Sequence, residues 1–146
     1  MASLLDLAKR CERWRKRIPE EANRIKKEVA QEVATDLIVV TPVDESTALS
    51  NWQAANNEPT DFPLPAIYPG ERGSTESAST AEAIAHAERV IKETAPGEPL
   101  YVSNVLDYIV PLNDGTSSQE PAGFVERAIL LGRIKVREAR VKLNGD

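Results

Sequence analysis

A single cysteine, Cys11, and a single histidine, His86, stand in a chain of 146 residues. An internal disulfide is therefore excluded, and a structural zinc site would need carboxylates or a second subunit to complete its ligands. No apolar run approaches the ~20 residues that cross a bilayer. The opening residues, MASLLDLAKRCERWRK, turn charged too soon for the apolar segment of a secretory signal, so the expected setting is cytosol-like and away from membranes. What is present is ordinary globular material. At 41% hydrophobic and 28% charged residues the composition is not that of a disordered tail. A chain of this length can bury roughly 68–70% of the surface its unfolded form exposes, enough for one self-sufficient domain.

The net charge of -5 hides a division into three parts. Residues 1–33 carry nine Lys/Arg against six Asp/Glu, residues 34–120 carry three against fourteen, and residues 121–146 carry six against three. Basic ends suit phosphate, but an acidic centre repels it unless it faces away. Association between unlike patches of successive copies is at least as well supported.

From Leu4 the apolar residues recur at Leu7, Cys11, Trp14, Ile18, Ala22, Ile25, Val29, Val33, Leu37 and Val40, tracing one helix face. Pro19 falls inside this run, with Arg15, Lys16 and Arg17 before it and Glu20 and Glu21 after it. That charge order suits one helix ending and another beginning, so two helices, or one sharply kinked, are expected. Unbroken, residues 3–40 would reach about 57 Å, against about 38 Å for the diameter of a compact domain of this length. A straight version must project and find a partner. The helical pattern stops at Thr41-Pro42.

Beyond it Asp44 is expected to cap a short turn and residues 51–55 to form a strand. Residues 56–78 hold four of the ten prolines and form a long irregular loop. Ser79 and Glu82 have the spacing of a capping box for a helix reaching about Thr94, with Ile84, Ala87 and Ile91 on one face. Leu100–Val102 reads as a short buried strand and residues 105–112 as a helical turn or two. Pro121 is expected to open the last helix, with Phe124, Ala128, Leu131 and Ile134 on one side and Gly145 past its end. Gly132 within it implies a close approach by another backbone. The fold class is thus α+β: long N-terminal and C-terminal helices, a small sheet and a central helix. It is one domain over 1–146, with a helical arm (1–40) and an α+β body (41–146). Trp52, Tyr101, Ile109 and Phe124 are the expected core.

Catalytic constellations are missing. Asp44-Glu45, and Asp107 with Asp114, have no partner that would make them an acid–base pair, and read as turn-making and capping residues. Ser117 and Ser118 form no nucleophile motif. Cys11 lies on the apolar helix face, where a buried thiol is the usual meaning, and His86 is on a polar flank. NDGTSSQ has neither the acidic ligands of a calcium loop nor the glycines of a phosphate loop. No enzyme activity and no cofactor are expected.

Two segments carry a family likeness. Thr41, Pro42, Val43 and Asp44, followed by Asn51 and Trp52, resemble the TPVDTG-x-x-x-SNW segment of the tail-completion (neck) proteins of tailed bacteriophages, the minor tail protein Z type. The stretch from Tyr101 to Val125 is similar to that family's YISNNLPYI-x-x-LNDG-x-S-x-QAPAGFV. It supplies Ser103, Asn104, Tyr108, Asn113, Asp114, Gly115, Gln119, Pro121, Ala122 and Gly123. Among the departures are Glu45-Ser46 for Thr-Gly, Asp107 for proline and Glu120 for alanine. The first suggests that a capped helical turn replaces a tight glycine turn.

The resemblance implies a non-catalytic α+β subunit of the virion, assembled in the host cytoplasm into a homo-oligomeric ring of six copies. The ring would sit in the phage neck between the head connector and the tail tube or tail terminator, with DNA passing through it without specific binding. A DNA-binding or packaging accessory protein using the basic stripes is the alternative. The residues that would meet a neighbour are the stripes Arg10, Arg13, Arg17 and Arg133, Arg137, Arg140. With them stand the apolar loop residues Phe62, Leu64, Ile67 and Tyr68, in a loop expected to be mobile until a neighbour orders it.

Overall fold

The computed structural model describes residues 2–143, so Gly145 lies outside the described residues. Helix α1 runs from Leu4 to Val40. The Ser3 hydroxyl accepts the Asp6 N–H at 3.1 Å and the Asp6 carboxylate accepts the Ser3 N–H at 2.9 Å, a reciprocal cap. The expected division at Pro19 is not found: one helix passes through it. Continuing through a proline forfeits one backbone hydrogen bond, whereas two separate helices would leave up to eight end groups without partners. The Arg17–Glu21 ion pair at 3.7 Å straddles the proline, and the Lys142 N–H donates to Glu21 at 2.9 Å from the far end of the chain.

After Thr41 the chain turns into α2 (Thr47–Ser50), β1 (Gln53–Asn56), α3 (Glu76–Lys92), β2 (Leu100–Ser103), α4 (Ile109–Asn113) and α5 (Phe124–Glu138). The two strands pair antiparallel, Gln53 opposite Ser103 and Asn56 opposite Leu100. This is the expected α+β architecture, dominated by helix. The main core joins Leu37 and Ile38 of α1 to Leu49, Trp52, Ala83, Ile109, Phe124 and Ala128. A second cluster, Ala34, Ala54, Ala87 and Ile91, is built largely of alanine and brings α1, β1 and α3 close together.

Several local expectations are corrected. β2 is only half-buried, and Tyr101 is 38% exposed rather than in the core. The cause is the pleat: Ala54 and Val102 face the helices, while Tyr101 and its partner Ala55 lie on the other face. Helix α3 begins at Glu76, three residues before the expected cap. Ser79 is fully buried instead, its hydroxyl accepting the Tyr68 N–H and lying 3.2 Å from the Tyr68 carbonyl. Helix α5 begins at Phe124, not Pro121. Gly123 (φ 84°) makes the entry turn, and the side-chain oxygen of Asn113 accepts the Val125 N–H at 2.9 Å, so the cap is supplied from α4. On α5 the buried ridge is Phe124, Ala128 and Gly132, while Ile134 is exposed. A Cβ at Gly132 would meet Val33 Cγ2 at 2.8 Å, so the close approach comes from a side chain of α1 rather than from backbone.

Candidate assembly surfaces

The motif residues are distant in sequence but converge around the junction of α1 with the body. The Thr41 hydroxyl donates to the Leu37 carbonyl at 2.6 Å and accepts the Trp52 indole N–H at 2.7 Å, joining the end of α1 to the strand. Asn51, with no exposed surface, clamps Leu64 from both sides: its amide donates to the Leu64 carbonyl at 2.8 Å and its oxygen accepts the Leu64 N–H at 2.7 Å. Gln119 treats Val43 the same way, at 2.8 and 2.9 Å. Asn104 donates to the Ala48 carbonyl at 2.9 Å. Asn113 donates to Glu126, and that bond holds the Glu126 carboxyl below its ordinary pKa. Thr41, Pro42 and Val43 are buried. Ser103 is half-buried with its hydroxyl toward the Thr60 carbonyl, and Gly115 (φ 93°) turns the chain against Ala122. The amides of Asn51 and Gln119 thereby satisfy backbone groups of irregular segments that have no sheet or helix partner.

Asp44 does not cap α2. It anchors the 72–73 turn, its carboxylate accepting the Arg72 N–H at 2.9 Å and its carbonyl the Gly73 N–H at 2.8 Å. Ser46 at the start of α2 has φ 63°, and its hydroxyl meets that of Thr75 at 2.9 Å. Serine here takes the left-handed conformation natural to glycine, and no side-chain cap forms at this turn. Asp114, Pro121 and Ala122 are exposed on the outer side of the same region, and Tyr108 is 40% exposed.

The basic stripes separate into free and engaged members. Arg10 lies over the Trp14 ring, 5.1 Å from its centre, and Arg13 is exposed with no ion-pair partner among the described residues. Arg17 is occupied, donating to the Lys142 carbonyl at 3.0 Å beside Glu21. Arg24 binds Glu21 at 3.0 Å, Glu28 at 2.8 Å and the Arg140 carbonyl at 3.0 Å. Glu21 is 5% exposed, and the Arg24 hydrogen bond, followed by that from the Lys142 N–H, lowers its pKa. Arg140 turns its guanidinium onto the carbonyls of residues 137–139, closing the end of α5. Arg133 and Arg137 are exposed.

The loop residues divide likewise. Ile67 packs against the protein's own core and Leu64 is half-buried, leaving Phe62 (56% exposed) and Tyr68 as outward apolar groups. The loop is already held within the single subunit by Asn51, by Gln53 on the Phe62 carbonyl at 3.0 Å and by Ser50 on the Ile67 N–H at 3.1 Å. A loop loose until a neighbour arrives is not what these contacts describe.

The surface that sequence reasoning under-read is the first half of α1. Leu4, Leu7 and Ile18 are 88%, 49% and 48% exposed, Cys11 is exposed rather than buried, and Trp14 is half-covered. The length of the helix was the signal, since a helix of ~55 Å outruns the body on which it lies. On the body, a groove of about 880 Å³ runs along the second half of α1, flanked by α3 and α5. It has Val39, Ile91 and Leu131 as apolar lining and, around them, Glu28, Glu32, Asp36 and Glu88 with Lys27 and Lys92. A more apolar groove of about 520 Å³ lies between α1, β2 and α5, including Val29, Leu100 and Val136. Among the described residues no group of three or more His, Cys, Asp or Glu is placed to hold a metal ion, and no helix is long and apolar enough to cross a membrane.

No family model, curated protein or solved structure matches the chain.

Proposed function

We propose that the protein is a structural subunit of a bacteriophage neck, completing the tail and joining it to the head connector as one copy of an oligomeric ring. The observation that carries the self-associating part of this reading is the apolar stripe of α1 left open to solvent over residues 4–18. A contiguous exposed apolar face of that length marks an interaction surface. The neck assignment rests on the resemblance of the two motif segments, whose residues act here as clamps that rigidify the body. A building block needs such rigidity more than a cleft. The α+β architecture fits the same reading.

The basic stripes support DNA binding less well, because Arg17 and Arg140 are spent within the chain. The test is a mass measurement on the purified protein, alone and with a connector or tail-tube protein, over a range of salt. A discrete oligomer that loses little affinity with salt and joins a connector or tube supports the proposal. A monomer that binds DNA tightly, with affinity falling steeply with salt, would replace it by the nucleic-acid reading.

A further inference from the structure

We infer that the ring closes by an arm-in-groove contact: the apolar stripe of α1 in one copy seats in the acidic-edged groove between α1, α3 and α5 of the next. The inference deepens the reading of the protein as a self-assembling subunit and rests on it. Three observations point to this occupant. The stripe and the groove are comparable in length, since residues 4–18 extend about 21 Å and the groove-lining part of α1, residues 27–39, about 18 Å.

Their charges are opposite. Residues 9–17 carry six Lys/Arg and one Glu. The groove is lined by the carboxylates of Glu28, Glu32, Asp36 and Glu88 against the lysines Lys27 and Lys92, so acid is in excess; Asp36 and Glu88 have no ion-pair partner among the described residues, whereas Glu28 and Glu32 are engaged by Arg24 and Lys135. Arg10 borders the stripe on its helical wheel and would lie along the groove edge, while the apolar floor at Val39 and Leu131 would take the stripe itself. The second groove, around Val29 and Val136, offers apolar lining but no carboxylate.

The two surfaces are also different from each other and rigidly separated on one helix. A copy cannot fold its own arm back into its own groove, and a contact between unlike patches propagates from copy to copy until rotation closes it. Cys11 lies in the stripe and Val39 in the groove, 28 residues apart on α1, or about 42 Å. No link between them within one chain is geometrically possible.

That separation supplies the experiment. Val39 is 56% exposed, so Val39→Cys leaves the fold intact, which its melting temperature checks. The full-length variant, at a concentration where mass shows assembly, is treated with a short thiol-to-thiol linker and run on a denaturing gel. A ladder of dimers, trimers and higher species, abolished by adding Cys11→Ser, is expected. An assembled sample that gives no ladder overturns the arm-in-groove contact while leaving the oligomer standing. So does a ladder from Val136→Cys in place of Val39→Cys, which puts the arm in the other groove. Covalent dimers from the parent chain, whose only thiol is Cys11, would show arms paired with arms and overturn it too. A chain that stays monomeric at every concentration overturns this inference together with the self-assembly reading beneath it.

Discussion

The two halves of α1 have one periodicity and opposite fates. Apolar residues recur at steps of three and four from Leu4 to Val40, yet Leu37 is buried and Ile25, Val29, Val33 and Val40 are half-buried while Leu4, Leu7 and Ile18 stand in solvent. Helical spacing states that a face is apolar; it does not state what covers it. In residues 25–40 the cover is α3, α5 and the strands, and in residues 4–18 no described part of the chain supplies it. The boundary between the halves is a built feature. Glu21, buried under Arg17, Arg24 and the Lys142 backbone, fixes the C-terminal segment to the helix where the body ends.

The largest effect expected from this contrast is in the body. Phe124 has no exposed surface, and Phe124→Ala should lower unfolding stability by about 3–5 kcal/mol, measured by chemical denaturation. Leu7→Ala, a smaller apolar deletion on the exposed face of the arm, should leave the monomer's stability nearly unchanged and weaken assembly. Comparable destabilisation by both would erase the distinction. Next in size, Gly132→Leu forces side-chain atoms into Val33 and should destabilise by about 1–3 kcal/mol. Cys11→Leu, which also enlarges a side chain but on the exposed arm, should not destabilise the monomer.

Much of this was legible in the residues before any coordinates. The helical periods, the strand before the long loop and the core positions Trp52, Ile109 and Phe124 follow from spacing and residue type. What was misread shares a cause. Ser79 has the spacing of a cap but sits where Tyr68 passes, so a contact eleven residues away in sequence, not local pattern, fixes its role. Tyr101 was assigned to a core because a short apolar run does not say which sheet face is covered. Pro19 looked like a break because propensity weighs one lost bond and not the helix ends that a break creates. Among the candidate interface residues, Arg13, Arg133, Phe62 and Tyr68 remain outward, whereas Arg17, Arg140, Leu64 and Ile67 are used within the chain. Long side chains and loops find partners that a linear pattern does not reveal.

Two smaller effects sharpen the comparison at the junction. Because its hydrogen bonds depress the Glu21 pKa in the folded state, its contribution is fully present above the ordinary carboxyl value of 4.5 and is lost as pH falls through the depressed value. Glu21→Gln should flatten the dependence of stability on pH in that acid window, and urea titrations of parent and variant across it give the slope. An unchanged slope would contradict the role assigned to Glu21. Smallest of all, Arg13→Glu should alter monomer stability by no more than about 0.5 kcal/mol, as expected for an exposed residue. It should slow assembly at low salt, where attraction to the acidic groove guides the arm. Arg17→Glu belongs to a different class, since it places a second carboxylate beside buried Glu21 and should destabilise the junction even in the monomer.

The central claim, that one half of α1 is finished by its own chain and the other by a neighbour, is tested most directly by amide hydrogen exchange along the helix at two concentrations. Below the assembly threshold, residues 25–40 should be protected and residues 4–18 should exchange as a solvent-exposed helix does. In the oligomer both halves should be protected, the gain falling on the arm. Equal protection of the arm at both concentrations, or an oligomer whose arm still exchanges freely, would contradict the account.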